Sequence, residues 1–170
     1  MFAPPRPGYV TWQIYVDGLK RLIVHLSATA VDPTYQFVFA HINVPHEAFV
    51  FDAGKDEFAK SMPPDKGYSG NLELADRILS KIQTAMNNAN PWDETNVIIT
   101  SDHWWRENIY DGIIDKWRVP FIVKLEGQRR QVMFADEIKT VGLRHLVRRI
   151  LDGTLQTPEG IPQALIGGRQ

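Results

Sequence analysis

Apolar residues recur at helical spacing near the start of the chain, where Trp12, Tyr15, Val16, Leu19, Leu22, Ile23 and Leu26 fall three and four apart. Gln13, Asp17, Lys20 and Arg21 fill the intervening positions, so the spacing predicts an amphipathic helix whose aromatic and aliphatic stripe packs on other elements. His25 lies off that stripe, as a surface residue. Asp32-Pro33 ends the pattern, because the residue before proline is pushed out of helical geometry. Residues Tyr35 to Val44 then change period. Aromatic and β-branched side chains crowd this segment, which reads as a buried strand ending at Pro45-His46, with His41 as a hydrogen-bonded histidine of the core or one that supports a metal ligand from behind. Glu47 to Lys66 reads as a long irregular connection anchored by Phe49 and Phe51.

Helical period returns with Ala75, Ile78, Leu79, Ile82 and Met86, predicting a second helix from about Gly70 or Asn71 to Asn88, closed by Pro91. Asn96 to Thr100 is a β-branched run, followed at once by Ser101, Asp102 and His103. Strand, helix and strand in this order predict a right-handed crossover between parallel strands, and hence an α/β fold: a parallel sheet with flanking helices. Ligands of such sheets bind beyond the carboxyl ends of the strands, where His46, Asp102 and His103 would then meet. The plainer alternative for Asp102 and His103 is a turn cap, since aspartate readily accepts hydrogen bonds from nearby backbone N–H groups. Arg118 to Leu125 reads as a further strand, Gln131 to Phe134 as a short one, and a helix from about Thr140 buries Leu143, Leu146, Val147, Ile150 and Leu151 before stopping at Gly153. Arg144, His145, Arg148 and Arg149 occupy its other face, which reads as solvated in preference to a phosphate-binding patch. The Gly/Pro-containing tail, residues 157–170, carries no pattern.

Composition narrows the function classes. The 170 residues, with 44% hydrophobic and 23% charged, are enough for one sizeable core and one domain, 1–170. The 19 basic and 20 acidic residues nearly cancel, so no global field selects nucleic acid, and no apolar run approaches the ~20 residues of a membrane span. The start of the chain has no signal-peptide pattern, and compartment stays open. Zero cysteines exclude disulfides, thiolate zinc sites and a cysteine nucleophile.

Taken together, the Phe37-to-Asp52 strand with its Pro45-His46 element, the Tyr68-to-Met86 helix, the Thr95-to-His103 stretch ending Ser-Asp-His, and Arg118-Val119-Pro120-Phe121-Ile122 resemble the C-terminal half of a sulfatase-like domain of the alkaline phosphatase superfamily. The resemblance covers residues 35–125. It implies an incomplete alkaline-phosphatase-like fold and a metal-dependent enzyme acting on sulfate or phosphate esters, often membrane-associated or periplasmic. In that reading Asp102 and His103 ligate a divalent metal, His46 is a catalytic residue at a second metal position or at the substrate's oxygens, and Arg106 and Lys124 contact the anion. The oxygen and nitrogen donors suit zinc or manganese, with calcium or magnesium less typical. For Arg106 and Lys124 the alternative is an exposed, ion-paired side chain.

The chain departs from the family at defined places. It has no counterpart of the first strand's acidic metal ligand or of the nucleophile, no Cys/Ser-x-Pro-x-Arg signature, and Ala48 where a proline commonly follows the Pro-His pair. No histidine lies between His103 and Pro120. The resemblance therefore implies half an active site, completed by a missing N-terminal half, or else an inactive remnant serving as an interaction domain.

Overall fold

The computed structural model describes residues 7–104, 118–135, 137 and 139–166, divided between two units, Met1–Trp92 and Asp93–Gln170. In the first unit, helix α1 (Pro7–Thr29) turns the expected stripe inward. Val16 and Leu19 are buried, with Trp12, Tyr15 and Ile23 packed beside them. Polar ends of the same stripe tie the helix to the following chain: the Trp12 indole N–H donates to the Ala59 carbonyl at 2.7 Å and the Tyr15 hydroxyl to the Asn43 carbonyl at 2.7 Å.

Helix α2 (Pro64–Ala89) supplies Leu74 and Ile78 to the same core. It begins about six residues before the periodicity suggests. Proline is well suited to the first helical position, because its fixed φ fits the helix and its missing N–H would lack a partner there. Gly67 and Gly70, which dilute the apolar pattern, mark a close approach. A Cβ on Gly67 would lie 2.5 Å from the Phe49 side chain, and one on Gly70 2.3 Å from the Phe51 carbonyl oxygen. At the other end Asn90 adopts φ 73°, the left-handed stop that asparagine tolerates, and Pro91 follows. Between the helices, β1 (Phe51–Asp52) and β2 (Glu57–Phe58) form a minimal antiparallel hairpin, closed by edge-to-face rings of Phe51 and Phe58 at 5.8 Å.

In the second unit, β3 (Val97–Thr100) pairs antiparallel with β4 (Phe121–Lys124), in the register Val97 with Lys124 through Thr100 with Phe121. One face of this hairpin, Ile98, Phe121 and Val123, lies with Leu125 against α3 (Leu143–Leu151) and α4 (Ile161–Ile166). Leu146 and Ala164 are fully buried. The tail that carries no sequence pattern thus contains a short helix contributing Ile161, Ala164 and Leu165 to the core. A 3₁₀ turn, Thr140–Gly142, leads into α3 and brings Gly142 against α4.

The parallel α/β sheet is not what forms. Among the described residues both sheets are two-stranded and antiparallel. Residues 35–44 form no strand and bond to no neighbouring strand, so the crossover from that segment through α2 to β3 has no sheet to return to. His41 is accordingly exposed rather than in the core, and residues 131–134 form no strand either. Periodicity identifies a segment's affinity for a sheet but does not provide its partner.

Two helices stop by the same local device. After α1, the Thr34 N–H and hydroxyl both donate to Asp32 Oδ1, at 2.9 and 2.7 Å; after α3, the Thr154 N–H and hydroxyl donate to Asp152 Oδ1, at 3.1 and 2.6 Å. These hydrogen bonds hold both carboxyls below the ordinary aspartate value. Their contribution to the folded state is present above the unfolded pKa and lost as pH falls through the lowered one.

The packing of Gly142 generates a signed prediction. Alanine is the better helix former by up to ~1 kcal/mol, yet its Cβ here would stand 2.1 Å from the Leu165 carbonyl oxygen. Gly142→Ala is expected to destabilise the second unit by about 1–3 kcal/mol, the usual range for overpacking, read from urea unfolding followed by amide exchange at Leu146.

Candidate functional site

His46 sits in a tight turn, residues 45–50, that is assembled around one side chain. Asn71, on the inward face of α2, is completely buried. Its amide nitrogen donates to the carbonyls of Pro45, His46 and Ala48 at 3.3, 3.0 and 3.2 Å, and its carbonyl oxygen accepts from the Val50 N–H at 3.2 Å. A carboxamide is the one neutral group offering two donors and an acceptor in a plane, so it can satisfy a turn whose carbonyls converge while an N–H faces them. The Val44–Pro45 and Glu47–Ala48 peptides in this turn are cis. Phe49, Val50 and Phe51 continue directly from it into the core. The His46 side chain is exposed, and its Nδ1 bonds the Glu47 carbonyl at 2.9 Å. A carbonyl can only accept, so Nδ1 carries the proton and Nε2 is the basic nitrogen.

In the second unit Asp102 and His103 lie just beyond the end of β3. The Ser101 hydroxyl donates to the His103 carbonyl at 2.8 Å and shapes the turn beyond the strand. His103 is half-buried, with Nδ1 bonded to the Trp104 carbonyl at 2.8 Å, which again leaves Nε2 as the basic nitrogen. Backbone fixation of one ring nitrogen is how proteins orient a histidine for ligation through the other. Asp102 is exposed, and among the described residues its carboxylate makes no hydrogen bond or ion pair. The turn-cap reading of Asp102 therefore has no hydrogen bond behind it.

Lys124, the other expected anion contact, lies at the end of β4. Its ammonium donates to the Thr95 carbonyl at 2.8 Å. The register sets Lys124 beside Val97, at the far end of the ladder from Asp102 and His103, separated by about 10 Å of strand. An antiparallel β4 causes this separation. Arg106 lies outside the described residues. His46 belongs to the first unit and Asp102 and His103 to the second, and among the described residues no three His, Asp or Glu side chains gather as a metal site.

Asn71 is the residue that pattern reading passed over. The signal was present: Asn71, Leu74 and Ile78 lie three and four apart, so Asn71 occupies a core position of α2. A buried amide in phase with an apolar stripe has backbone to bind.

No protein-family model, curated protein or solved structure matches the chain. Among the described residues no helix is long and apolar enough to cross a membrane.

Three outcomes follow from these contacts. Asn71→Ala is expected to cost about 2–4 kcal/mol, because the Val50 N–H and the three carbonyls lose their shared partner; loss of exchange protection at the Val50 amide, beside the denaturation midpoint, checks this. Asn71→Asp keeps an acceptor for Val50 but no donor for the carbonyls, so it is expected to lose stability as well. Burial, opposed mainly by the nearby Asp93 carboxylate, pushes the Lys124 ammonium below its ordinary value. The unfolded chain then binds more protons than the folded one between the lowered and ordinary pKa, so stability rises with pH across that window. Lys124→Met is expected to flatten that rise, measured as the difference between wild-type and variant melting temperatures at a series of alkaline pH values.

Proposed function

We propose that this chain contributes Asp102 and His103 as ligands to a divalent metal in the hydrolysis or transfer of phosphate or sulfate esters, as half of a site whose nucleophile comes from outside residues 1–170. The observation that carries the reading is the adjacency, just beyond β3, of an exposed Asp102 carboxylate that makes no hydrogen bond or ion pair among the described residues and a His103 ring whose Nδ1 is held by the Trp104 carbonyl. An anionic oxygen and a neutral imidazole nitrogen suit zinc or manganese. When bound, such an ion offsets charge on the non-bridging oxygens of a tetrahedral ester. The Ser101 hydroxyl, engaged with the His103 carbonyl, serves the turn rather than attack. Lys124 is given no role here, since its ammonium is engaged with Thr95.

Two ligands are fewer than the three or four of a tight zinc site, so binding is expected to be weak. Calorimetric titration with zinc and with manganese should detect binding that Asp102→Ala and His103→Ala each abolish and Lys124→Gln leaves unchanged. Equal binding by wild type and Asp102→Ala would remove Asp102 from the site. Aryl phosphate and aryl sulfate should not be turned over by this chain alone, with or without metal, because a covalent route requires an in-line nucleophile. Metal-dependent turnover by the lone chain, lost in His103→Ala, would overturn the half-site reading.

A further inference from the structure

The segment between α1 and the Asn71-bound turn has the composition of a strand and none of the bonding. Tyr35 and Phe37 are each 56% exposed, Phe39 is 81% exposed, and Val38 is 40% exposed. Among the described residues, backbone hydrogen bonds of this region stop at Tyr35, whose N–H donates to the Asp32 carbonyl, and resume at Val44, whose N–H donates to the Ile42 carbonyl. Residues 36–41 have none. Both ends are nevertheless held. The Asp32–Thr34 bonds fix the beginning, while Ile42 packs on the core and the Asn43 carbonyl accepts from the Tyr15 hydroxyl. The stretch is thus presented with unpaired backbone and apolar side chains, without the lysines, prolines or bulges that shield strand edges.

We infer that residues Tyr35 to His41 pair antiparallel with the same residues of a second copy of this chain, about a two-fold axis through Val38. Self-complementarity selects this occupant. With Val38 opposite Val38, Phe37 faces Phe39 and Tyr35 faces His41, each twice, so one face of the ribbon carries only rings. The other face sets Gln36 opposite Ala40. Cross-strand aromatic pairs are favoured on such ribbons, and the segment has no carboxylate, ammonium or guanidinium to repel its own copy. Shifting the axis to Phe39 would draw Ile42 and Asn43 into the ladder, although both are already engaged within their own chain. A two-fold axis satisfies both copies at once and closes the assembly as a dimer.

The chain has no cysteine, so single-cysteine variants report register cleanly. Sedimentation equilibrium of the full chain should give a concentration-dependent dimer. Val38→Lys sets two ammonium groups face to face on the axis and should weaken association by about tenfold or more; at an exposed position it should leave the circular dichroism of the chain unchanged. Under mild oxidation Val38→Cys should cross-link to itself, whereas Phe39→Cys should not, because its own copy lies two residues away along the ladder, beyond disulfide reach. A monomer throughout, a dimer indifferent to Val38→Lys, or cross-linking of Phe39→Cys as fast as Val38→Cys would each overturn the proposal. So would association that occurs only with a nucleophile-bearing polypeptide. Metal titration is a separate measurement, and its failure leaves this pairing unaffected.

Discussion

One carboxamide holds the first unit's irregular chain in place. Asn71 is buried without a charge, and its four backbone partners span only residues 45–50. A hydrophobic side chain at that position would leave the converging carbonyls without their donor. The polar group thereby decides where the chain turns, and Phe49, Val50 and Phe51 are buried as a consequence. Hydrophobic burial supplies most of the stabilisation; the amide specifies which conformation receives it.

Helices were the legible part of this sequence. The α1 stripe, the body of α2 and the apolar face of α3 all follow from residues three and four apart, because that periodicity is local and each helix satisfies its own backbone. Strands are not self-sufficient. Val97–Thr100 and Phe121–Lys124 were recognisable from β-branched composition, but direction depends on which segment lies alongside, and the partner of β3 proved to be β4 rather than residues 35–44. That single change of partner removes the parallel sheet and moves Lys124 to the opposite end of the ladder from Asp102. The start of α2 differs from its expectation for a steric reason: Gly67 and Gly70 lower apparent helix propensity, and their value is the contact with Phe49 and Phe51 that no local pattern encodes.

Of the candidate site, the local placement of Asp102 and His103 beyond β3 was legible. Asp102 and His103 follow β3 directly, and that adjacency is covalent. The ring proton on Nδ1 of both His46 and His103 is set by the neighbouring peptide carbonyl, a contact within one residue. The chemical poise of each imidazole is therefore a property of its own short loop, independent of the long-range topology that sequence reasoning expected. Asn71 stayed hidden because its partners lie 21 to 26 residues away, on a segment with no period at all.

The two α2 glycines have a further meaning for how this chain tolerates change. At Leu74 or Ile78 damage is graded, since each lost methylene removes a share of contact and a similar hydrophobe recovers much of it. At Gly67 and Gly70 the fit consists of missing atoms, so the smallest possible substitution already collides with Phe49 or with backbone. All-or-none positions in the first turns of α2 thus give way to graded ones further along the helix. Drift among aliphatic residues can proceed there freely, while the two glycines set the distance at which the neighbouring chain must lie.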